Sequence, residues 1–574
     1  MGAGPRGLET AAVFMNRSSP SPGKGARAWR QRPSELVFIL AAPLLWLALY
    51  NVHFWRETAS AMWQPSFNGV LFMGSLFVLA LFVQALLLLF LPRVLLRSVA
   101  SVLFIVAALV AYFSDTYGVF VDKDMLRNVF ATDTAEVAGL VNLRLAGYLL
   151  LLGVLPSVLL WRVDLPRIGF RQRLKERSAF IGIALAVCVV SLFALSASYA
   201  SFFREHKSTR YFLNPASAVY GAFNLLASQQ AEAHHGAVVD IGGQLTRAAA
   251  GDGKPVVLFL VIGETARASN FKLAGYARDT TPQLSQLHDL LYFPNTTSCG
   301  TATATSLPCI FSHLGRKDFD VATAGSTTNL LDILVRAGLD VQWRDNNSGC
   351  KGVCARVPAV VYSPKDDAQL CPTGTYCYDE KMLVGLQDTL RQIQHDTVIV
   401  FHQIGSHGPA YAQRYPPQFE VFKPACHTSQ LDQCTREEVR NAYDNTIRYT
   451  DYNLARQIEL LRAAEDRIDG VLMYVSDHGE SLGENGVYLH GMPYALAPAD
   501  QKHVPLMVWT SPGYEQRVRM NRGCLQGRTA GASSHDNIFH TVLGMFEIGS
   551  AVYQEPLDMF AACRRKDAPQ LVMR

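Results

Sequence analysis

The chain has 574 residues, more than one ordinary hydrophobic core can organise, so two or more domains are expected. Apolar residues crowd the first two hundred positions and the remainder reads as a soluble enzyme, which excludes a uniformly soluble protein. A formal net charge of +4 gives no footing to a general polyanion- or nucleic-acid-binding role, because many basic residues flank apolar segments.

In chain order, residues 1–35 form a basic, Ser/Pro/Gly-rich leader carrying Arg6, Arg17, Lys24, Arg27, Arg30 and Arg32, expected to be a disordered tail. Five apolar runs follow near 36–55, 68–91, 98–118, 145–161 and 179–200, close to the roughly 20 residues a membrane-spanning helix needs. The fourth is short and carries Pro156. The first run lies too far from the start and is too long for a cleaved signal peptide, so it reads as an uncleaved anchor. Two loops are basic, one with Arg93 and Arg97 and the other with Arg162, Arg167, Arg171, Arg173, Lys175 and Arg177. The opposite loop carries Asp122, Asp124, Asp133 and Glu136. The positive-inside rule then keeps the leader cytoplasmic and puts everything after residue 200 outside.

Residues 201–250 read as an amphipathic connector with interfacial aromatic residues. From 251 to 563 apolar strand-like runs alternate with helical stretches, and 564–574 reads as a tail. The strand candidates are KPVVLFLVI, DTVIVFHQI, DGVLMYVSD and VPLMVW; the helical ones are 327–338 and 435–466. Such alternation predicts a mostly parallel sheet flanked by helices. Of 11 cysteines, only Cys188 lies in an apolar run. Cys299/Cys309, Cys350/Cys354, Cys371/Cys377 and Cys426/Cys434 are closely spaced, leaving Cys524 and Cys563. An even count in an exported domain reads as a disulfide set with connectivity left open. A metal cluster is the rival, but paired CxxC spacing is absent.

Ligands collect at the carboxyl ends of strands in open α/β sheets. One strand runs into Glu264 and Thr265. A second runs into His402, Ser406 and His407, and a third into Asp477, His478 and Glu480, with His490 farther on. Carboxylates and imidazoles converging on one rim suit a divalent metal, with zinc the first choice. His402 alone reads better as a hydrogen-bonded strand residue, whereas His407 sits in a glycine-flanked turn that a ligand can approach. Asp477-His478-Gly479 would pass for an ordinary turn but for Glu264 at another strand end. The segment TSCGTATATSLPC offers Thr301, Thr303, Thr305 and Ser306 at a helix start, either as a metal-activated nucleophile or as plain helix caps. Chemistry alone does not choose among the four.

The strings GETARASNFKLAGYARDTTPQL, NTTSCGTATATSLPC, RDNNSGCKGVC, HQIGSHGPAY, SDHGESLGENGVYLHGMPYALAP and HVPLMVW, in that order, resemble the phosphoethanolamine–lipid A transferases, the family that includes mobile colistin-resistance enzymes. The resemblance covers nearly all of 254–545, and the five-helix layout matches too. It implies a membrane helical bundle joined to an alkaline-phosphatase-like α/β domain with a mostly parallel sheet, facing the periplasm from the bacterial inner membrane. It picks Thr303 as nucleophile and implies zinc ligation by Glu264, Thr303, Asp477 and His478, with one catalytic ion and a second during turnover. Lys351, His407 and His490 would contact phosphate or assist proton transfer, and Asn347 would help hold the donor. The donor would be phosphatidylethanolamine and the acceptor a lipid A phosphate, a transfer that lowers surface negative charge and polymyxin susceptibility. A monomer is expected.

Asn128, Thr132 and Glu136 are spaced by four and share a helix face. They read either as a headgroup contact, which the family makes in this loop, or as a solvated face. Rival readings are another acceptor (a core sugar, surface glycan or protein), a phosphoglycerol transferase, a sulfatase, or an inactive binding module. CGTATATSLPC lacks the sulfatase nucleophile pattern, and an inactive module would be expected to lose ligands that are all present here.

Overall fold

The protein is described by a computed structural model at residues 35–62, 67–131, 137, 140–165, 167–205, 209–233, 238–248, 253–362, 367, 369–372, 376–564 and 571–573. The leader up to residue 34, Thr132 and Glu136 lie outside these residues.

The first apolar run does not form one straight crossing. It makes α1 (Glu35–Leu49) and α2 (Val52–Met62), bent by 62° at the break. Asn51 is the physical reason. Its Nδ2 donates to Trp46 O (2.8 Å) and Asn214 O (2.7 Å), and its Oδ1 accepts from Asn214 N (2.9 Å), so it diverts the hydrogen bonding a continuous helix needs. Straight, apolar and long enough to cross a bilayer are α3 (Phe67–Leu89), α4 (Arg93–Tyr117) and, beyond the short amphipathic α5 (Lys123–Ala131), α6 (Leu143–Arg162) and α7 (Phe170–Ala194). α4 and α7 begin earlier than their apolar runs, because their basic first turns are helical too. Arg173 and Arg177 of α7 both pair with the buried Glu35. Pro156 does not break α6. The helix widens to a π turn over Leu149–Val154 just before it, accommodating the missing N–H. Val102, Leu151 and Phe193 are exposed apolar residues on these helices, as lipid contact requires. The chain is a multi-pass membrane protein.

Two further helices, α8 (Ser196–Glu205) and α9 (Ala216–Ala233), lead out of the bundle. Between them Asn214 is tied down by Asn51, by Gln84 Nε2 to its carbonyl (2.6 Å) and by its own Nδ2 to Ala107 O (2.8 Å). Unpaired amides are costly in an apolar bundle, so this knot fixes where the chain leaves the membrane helices.

The soluble part is built on β1 (Val256–Gly263), β2 (Leu290–Thr297), β3 (Asp340–Asp345), β4 (Ala359–Val361), β5 (Thr397–His402), β6 (Asp469–Ser476), β7 (His503–Thr510) and β8 (Ser533–Ser534), in the order β8-β2-β7-β6-β1-β5-β3-β4. Pairings are parallel except where β7 meets β2 and β6. β1 is buried on both faces, which is why it reads as an unbroken apolar run. Leu258, Leu260 and Ile262 pack with α11 (Leu330–Arg336) and α13 (Asp536–Met545), while Val257, Phe259 and Val261 face α12 (Arg436–Arg462). A capping box of Thr435 and Glu438 starts α12. Leu571–Met573, read as tail, pairs antiparallel with Thr246–Ala248.

The two parts touch. Phe54, Phe72, Phe120, Tyr199, Phe202 and Phe212 share a cluster with Met492 and Ala497 of the soluble part. Tyr117 donates to Ser429 O (3.3 Å), and Arg144 pairs with Asp432. Gly118, with φ +68°, lies so close to Gly486 that a Cβ would stand 2.6 Å from its carbonyl oxygen.

Candidate functional site

Strand register assembles the site. β1 and β6 align Gly263 with Ser476, β1 and β5 align Ile262 with His402, and β3 and β5 align Asp345 with His402. The residues that follow, Glu264, Asp477-His478, Gln403 to His407, and Asn346-Asn347, therefore leave the sheet along one rim. The turn after β5 is pinned by the buried Asp379 carboxylate, which accepts from Ile404 N (2.9 Å) and Gly405 N (3.0 Å). Gly405 has φ +49° and no room for a Cβ, which would lie 2.8 Å from Glu264 O.

Thr303 is the first residue of α10 (Thr303–Ile310). Its Oγ1 donates to Glu264 Oε2 (3.0 Å) and lies 3.3 Å from His478 Nε2. Two of the other candidate hydroxyls bond elsewhere: Thr301 to Met492 O (2.5 Å) and Ser306 to Ala302 O (2.8 Å). His478 Nε2 is 3.3 Å from Glu264 Oε1 and 3.4 Å from Asp477 Oδ2. Its Nδ1 faces Gly479 O at 2.9 Å, a pure acceptor, so Nδ1 carries the proton and Nε2 turns to the carboxylates. Asn347 bridges Glu264 Oε2 and Gln403 O, both at 2.8 Å.

All four residues of this cluster are buried. Burial works against ionisation of Glu264, yet the hydrogen bond and charge of His478 outweigh it and hold the carboxyl well below the usual range. Burial and then the Glu264 charge push Asp477 up to about 6. His478 is disfavoured as a cation by burial, but Asp477 and Glu264 more than offset this and carry it up to about 10. The cluster thus demands positive charge. Glu264 Oε1 and Asp477 Oδ2 are buried without a hydrogen-bond partner, and Glu264, Asp477 and His478 bring ligand atoms within 4.8 Å of one another. Two carboxylates, an imidazole and a hydroxyl fit a divalent cation. A second set, Glu264, His407 and His490, meets the same distance limit.

His490 Nδ1 lies 2.8 Å from Glu480 Oε2, and Glu480 Oε1 accepts from Tyr411 OH (2.6 Å), leaving Nε2 of His490 toward the cavity. The His478 and His490 rings are 4.4 Å apart. Lys351, with φ +49°, points its ammonium at Ser348 O (2.8 Å), Ser348 Oγ (2.9 Å) and Ala131 O (3.0 Å) at the end of α5. Thr303, Ser348, Lys351, His407 and His490 together with Asn128 and Ala131 of α5 line a cavity of ≈ 10 Å³, room for about one water. Asn128 is therefore at the site, whereas nothing is described for Thr132 and Glu136.

His402 is fully buried behind the rim, 3.4 Å from Asp345, and does not line the cavity. The cysteines pair as Cys299–Cys309, Cys350–Cys354, Cys371–Cys377, Cys426–Cys434 and Cys524–Cys563. The first braces the Thr303 turn and the second the Lys351 turn. Sequence reading gave no role to Ser348, although it lies between Asn347 and Lys351, nor to Glu480 as the partner of His490. It also missed His535, which accepts from Cys299 N (3.1 Å) and lies 2.9 Å from Ser476 O, joining the Thr303 turn to the end of β6. No motif marks it.

Comparison with known proteins agrees with this architecture. The sulfatase family profile matches residues 257–548, and the profile described as phosphoethanolamine transferase EptA/EptB matches 76–230. The phosphoethanolamine transferase EptA of Salmonella typhimurium is 41% identical over 476 residues, 82% of this chain and 86% of that protein. The phosphatidylethanolamine transferase Mcr-1 of Escherichia coli is 40% identical over 466 residues, 79% of this chain and 84% of its own. Among solved structures, the integral membrane lipooligosaccharide phosphoethanolamine transferase A of Neisseria meningitidis superposes with a TM-score of 0.88 at 32% identity, covering 93% of this chain and 99% of that one. With membrane and soluble parts both matched at this level, the chain belongs to the EptA family of phosphoethanolamine transferases.

Proposed function

We propose that the protein moves phosphoethanolamine from phosphatidylethanolamine to a phosphate of lipid A through a phosphothreonine at Thr303. The observation that carries this reading is the Thr303 hydroxyl held between Glu264 and His478, beside two carboxylate oxygens with no other partner. Glu264, Asp477, His478 and the Thr303 hydroxyl would hold a zinc ion, which when bound would supply the Lewis acidity that lowers the pKa of this hydroxyl. Thr303 Oγ forms a bond to the donor phosphorus as the bond to the glycerol oxygen breaks, and diacylglycerol leaves with a proton delivered through His490 Nε2. Lys351 and His407 offset charge on the phosphoryl oxygens, and Asn347 keeps Glu264 aimed. A phosphate oxygen of the acceptor then attacks the same phosphorus, the bond to Thr303 Oγ breaks, and Thr303 regains a proton.

In this reading residues 36–200 are the membrane bundle and 201–250 the connector. Residues 251–563 are the catalytic domain, periplasmic by the charge of the loops, and the amino terminus is cytoplasmic in the inner membrane. The second set of ligand groups gives a further zinc ion a place to bind. The relatives support the chemistry: one is a lipooligosaccharide phosphoethanolamine transferase, and a more distant Salmonella relative is a Kdo(2)-lipid A phosphoethanolamine transferase.

Mass spectrometry of lipid A from cells with and without the protein is the test. One added phosphoethanolamine is expected, together with a phosphoethanolamine adduct on Thr303 when acceptor is withheld. Thr303→Ala should lose both and keep its fold. Continued transfer by that variant would exclude the covalent route, and unmodified lipid A with unchanged polymyxin sensitivity would point to another acceptor.

A further inference from the structure

Outside the catalytic cavity, two cations share one aromatic ring. Arg316 Cζ lies 3.3 Å and Lys502 Nζ 5.1 Å from the centroid of Tyr494. Neither has a carboxylate within ion-pair distance among the described residues. The nearest acid, Asp536, accepts from the backbone N–H of Arg316 (2.9 Å) rather than from its guanidinium. Both cations are held in place. Arg316 Nη1 donates to Cys299 O (2.6 Å), Lys502 Nζ donates to Tyr494 O (3.2 Å), and Tyr494 OH donates to Ser298 O (2.9 Å). Burial first, and then the charge of Arg316, push the Lys502 ammonium below its usual range, as expected of neighbouring like charges. Like charges held on one ring repel, and an anion bound by both relieves the repulsion through charge-assisted hydrogen bonds.

The position of the pair narrows the anion. Tyr494 lies between Met492 and Ala497, which pack on membrane-side aromatic residues, so the pair is near the seam between the catalytic domain and the membrane helices. Cys299, which Arg316 contacts, is disulfide-bonded to Cys309. Cys299 also lies four positions before Thr303 (303 − 299), a span of at most about 14 Å even for a fully extended chain. The pair thus stands within about 15 Å of Thr303 by chain length, apart from the residues that line the cavity and within reach of a second phosphate at the other end of a disaccharide.

We propose that Arg316 and Lys502, braced on Tyr494, clamp the phosphate of a bis-phosphorylated glycolipid acceptor that is not being modified, and so present the other phosphate to Thr303. The inference rests on the transfer reaction proposed above and adds the group that selects and orients its acceptor.

The test uses the full-length enzyme in mixed micelles with phosphatidylethanolamine and either bis-phosphorylated or mono-phosphorylated lipid A. The unsubstituted enzyme is expected to show a KM roughly 10-fold lower for the bis-phosphorylated acceptor, a preference that shrinks as salt is raised. Arg316→Gln and Lys502→Gln each keep a donor for the carbonyl they now satisfy but lose the charge. Each should raise KM for the bis-phosphorylated acceptor toward that of the mono-phosphorylated one, with kcat little changed. Equal KM values for the two acceptors in the unsubstituted enzyme would overturn the clamp without any variant. So would variants that raise KM equally for both acceptors, or that raise the KM for phosphatidylethanolamine instead. If diacylglycerol is released but neither acceptor is modified, the acceptor reading falls and the clamp falls with it.

Discussion

Glu480 and His535 act on the site without facing the cavity. Glu480 fixes which nitrogen of His490 carries the proton and which is turned to the substrate. Glu480→Gln keeps the shape and removes the charge, so if His490 is the general acid as proposed, kcat should fall on the order of 10- to 100-fold. KM for the donor and bound zinc should be unchanged, as read by steady-state kinetics and metal analysis; loss of zinc would assign Glu480 to metal retention instead. His535 gives a pH effect of known sign. Burial pushes its imidazole down to about 4 from an ordinary 6.5. The unfolded chain therefore takes up this proton near pH 6.5 and the folded protein only near 4, so its contribution to stability is present above 6.5 and lost as pH falls toward 4. The loss amounts to about 3 kcal/mol. His535→Gln supplies the same acceptor and donor without titrating, and its Tm should fall less between pH 7.5 and 5 than that of the unsubstituted protein. Glu264, Asp477 and His478 were legible because each follows an apolar strand. Thr303 was not separable by chemistry from Thr301, Thr305 and Ser306, because only the register of α10 decides which hydroxyl meets Glu264. His535 was not legible at all, since its partners are backbone atoms distant in sequence.

At the level of elements, sequence legibility followed burial. β1, β5 and β6 are buried runs that announce themselves, and they carry the site. β3, with Asp340, Gln342, Arg344 and Asp345, is too polar to read as a strand, and β2 hides behind Pro294. α1 and α2 read as a single crossing because the break depends on one amide, Asn51, whose partner lies 163 positions away. The end of α4 is the element on which the docking of the two parts turns. Gly118 combines a left-handed backbone with a contact that leaves no room for a Cβ beside Gly486. Gly118→Ala should cost about 1 kcal/mol from backbone strain alone and also push the soluble part off its seat. Transfer from a lipid donor should drop several-fold, while hydrolysis of a small water-soluble phosphodiester by the same protein should be spared. Equal loss of both activities would mean general disruption, not undocking.

For the molecule as a whole, the small size of the cavity sets the problem. About one water fits between α5 and Thr303, Lys351, His407 and His490, yet the proposed reaction requires a phosphoethanolamine group to reach Thr303 and a glycolipid to follow it. The ammonium of Lys351 on Ala131 O and the Arg144–Asp432 pair hold the membrane part against the soluble part. Arg144 and Asp432 are both about a third exposed, so their attraction is worth only some tenths of a kcal/mol and is easily broken in turnover. Contacts this weak suit a hinge that, for the proposed reaction, would open for each of two lipid substrates and reclose to keep water from the phosphorylated Thr303. Replacing the pair by cysteines, Arg144→Cys with Asp432→Cys, and joining them with a short thiol cross-linker makes the contact permanent without touching a catalytic side chain. Before cross-linking the double variant should transfer at close to the normal rate; after it, lipid transfer should fall by at least tenfold and return when a cleavable linker is cut. Full activity in the linked protein would locate the opening in α5 alone, moving against a soluble domain that never leaves the membrane helices.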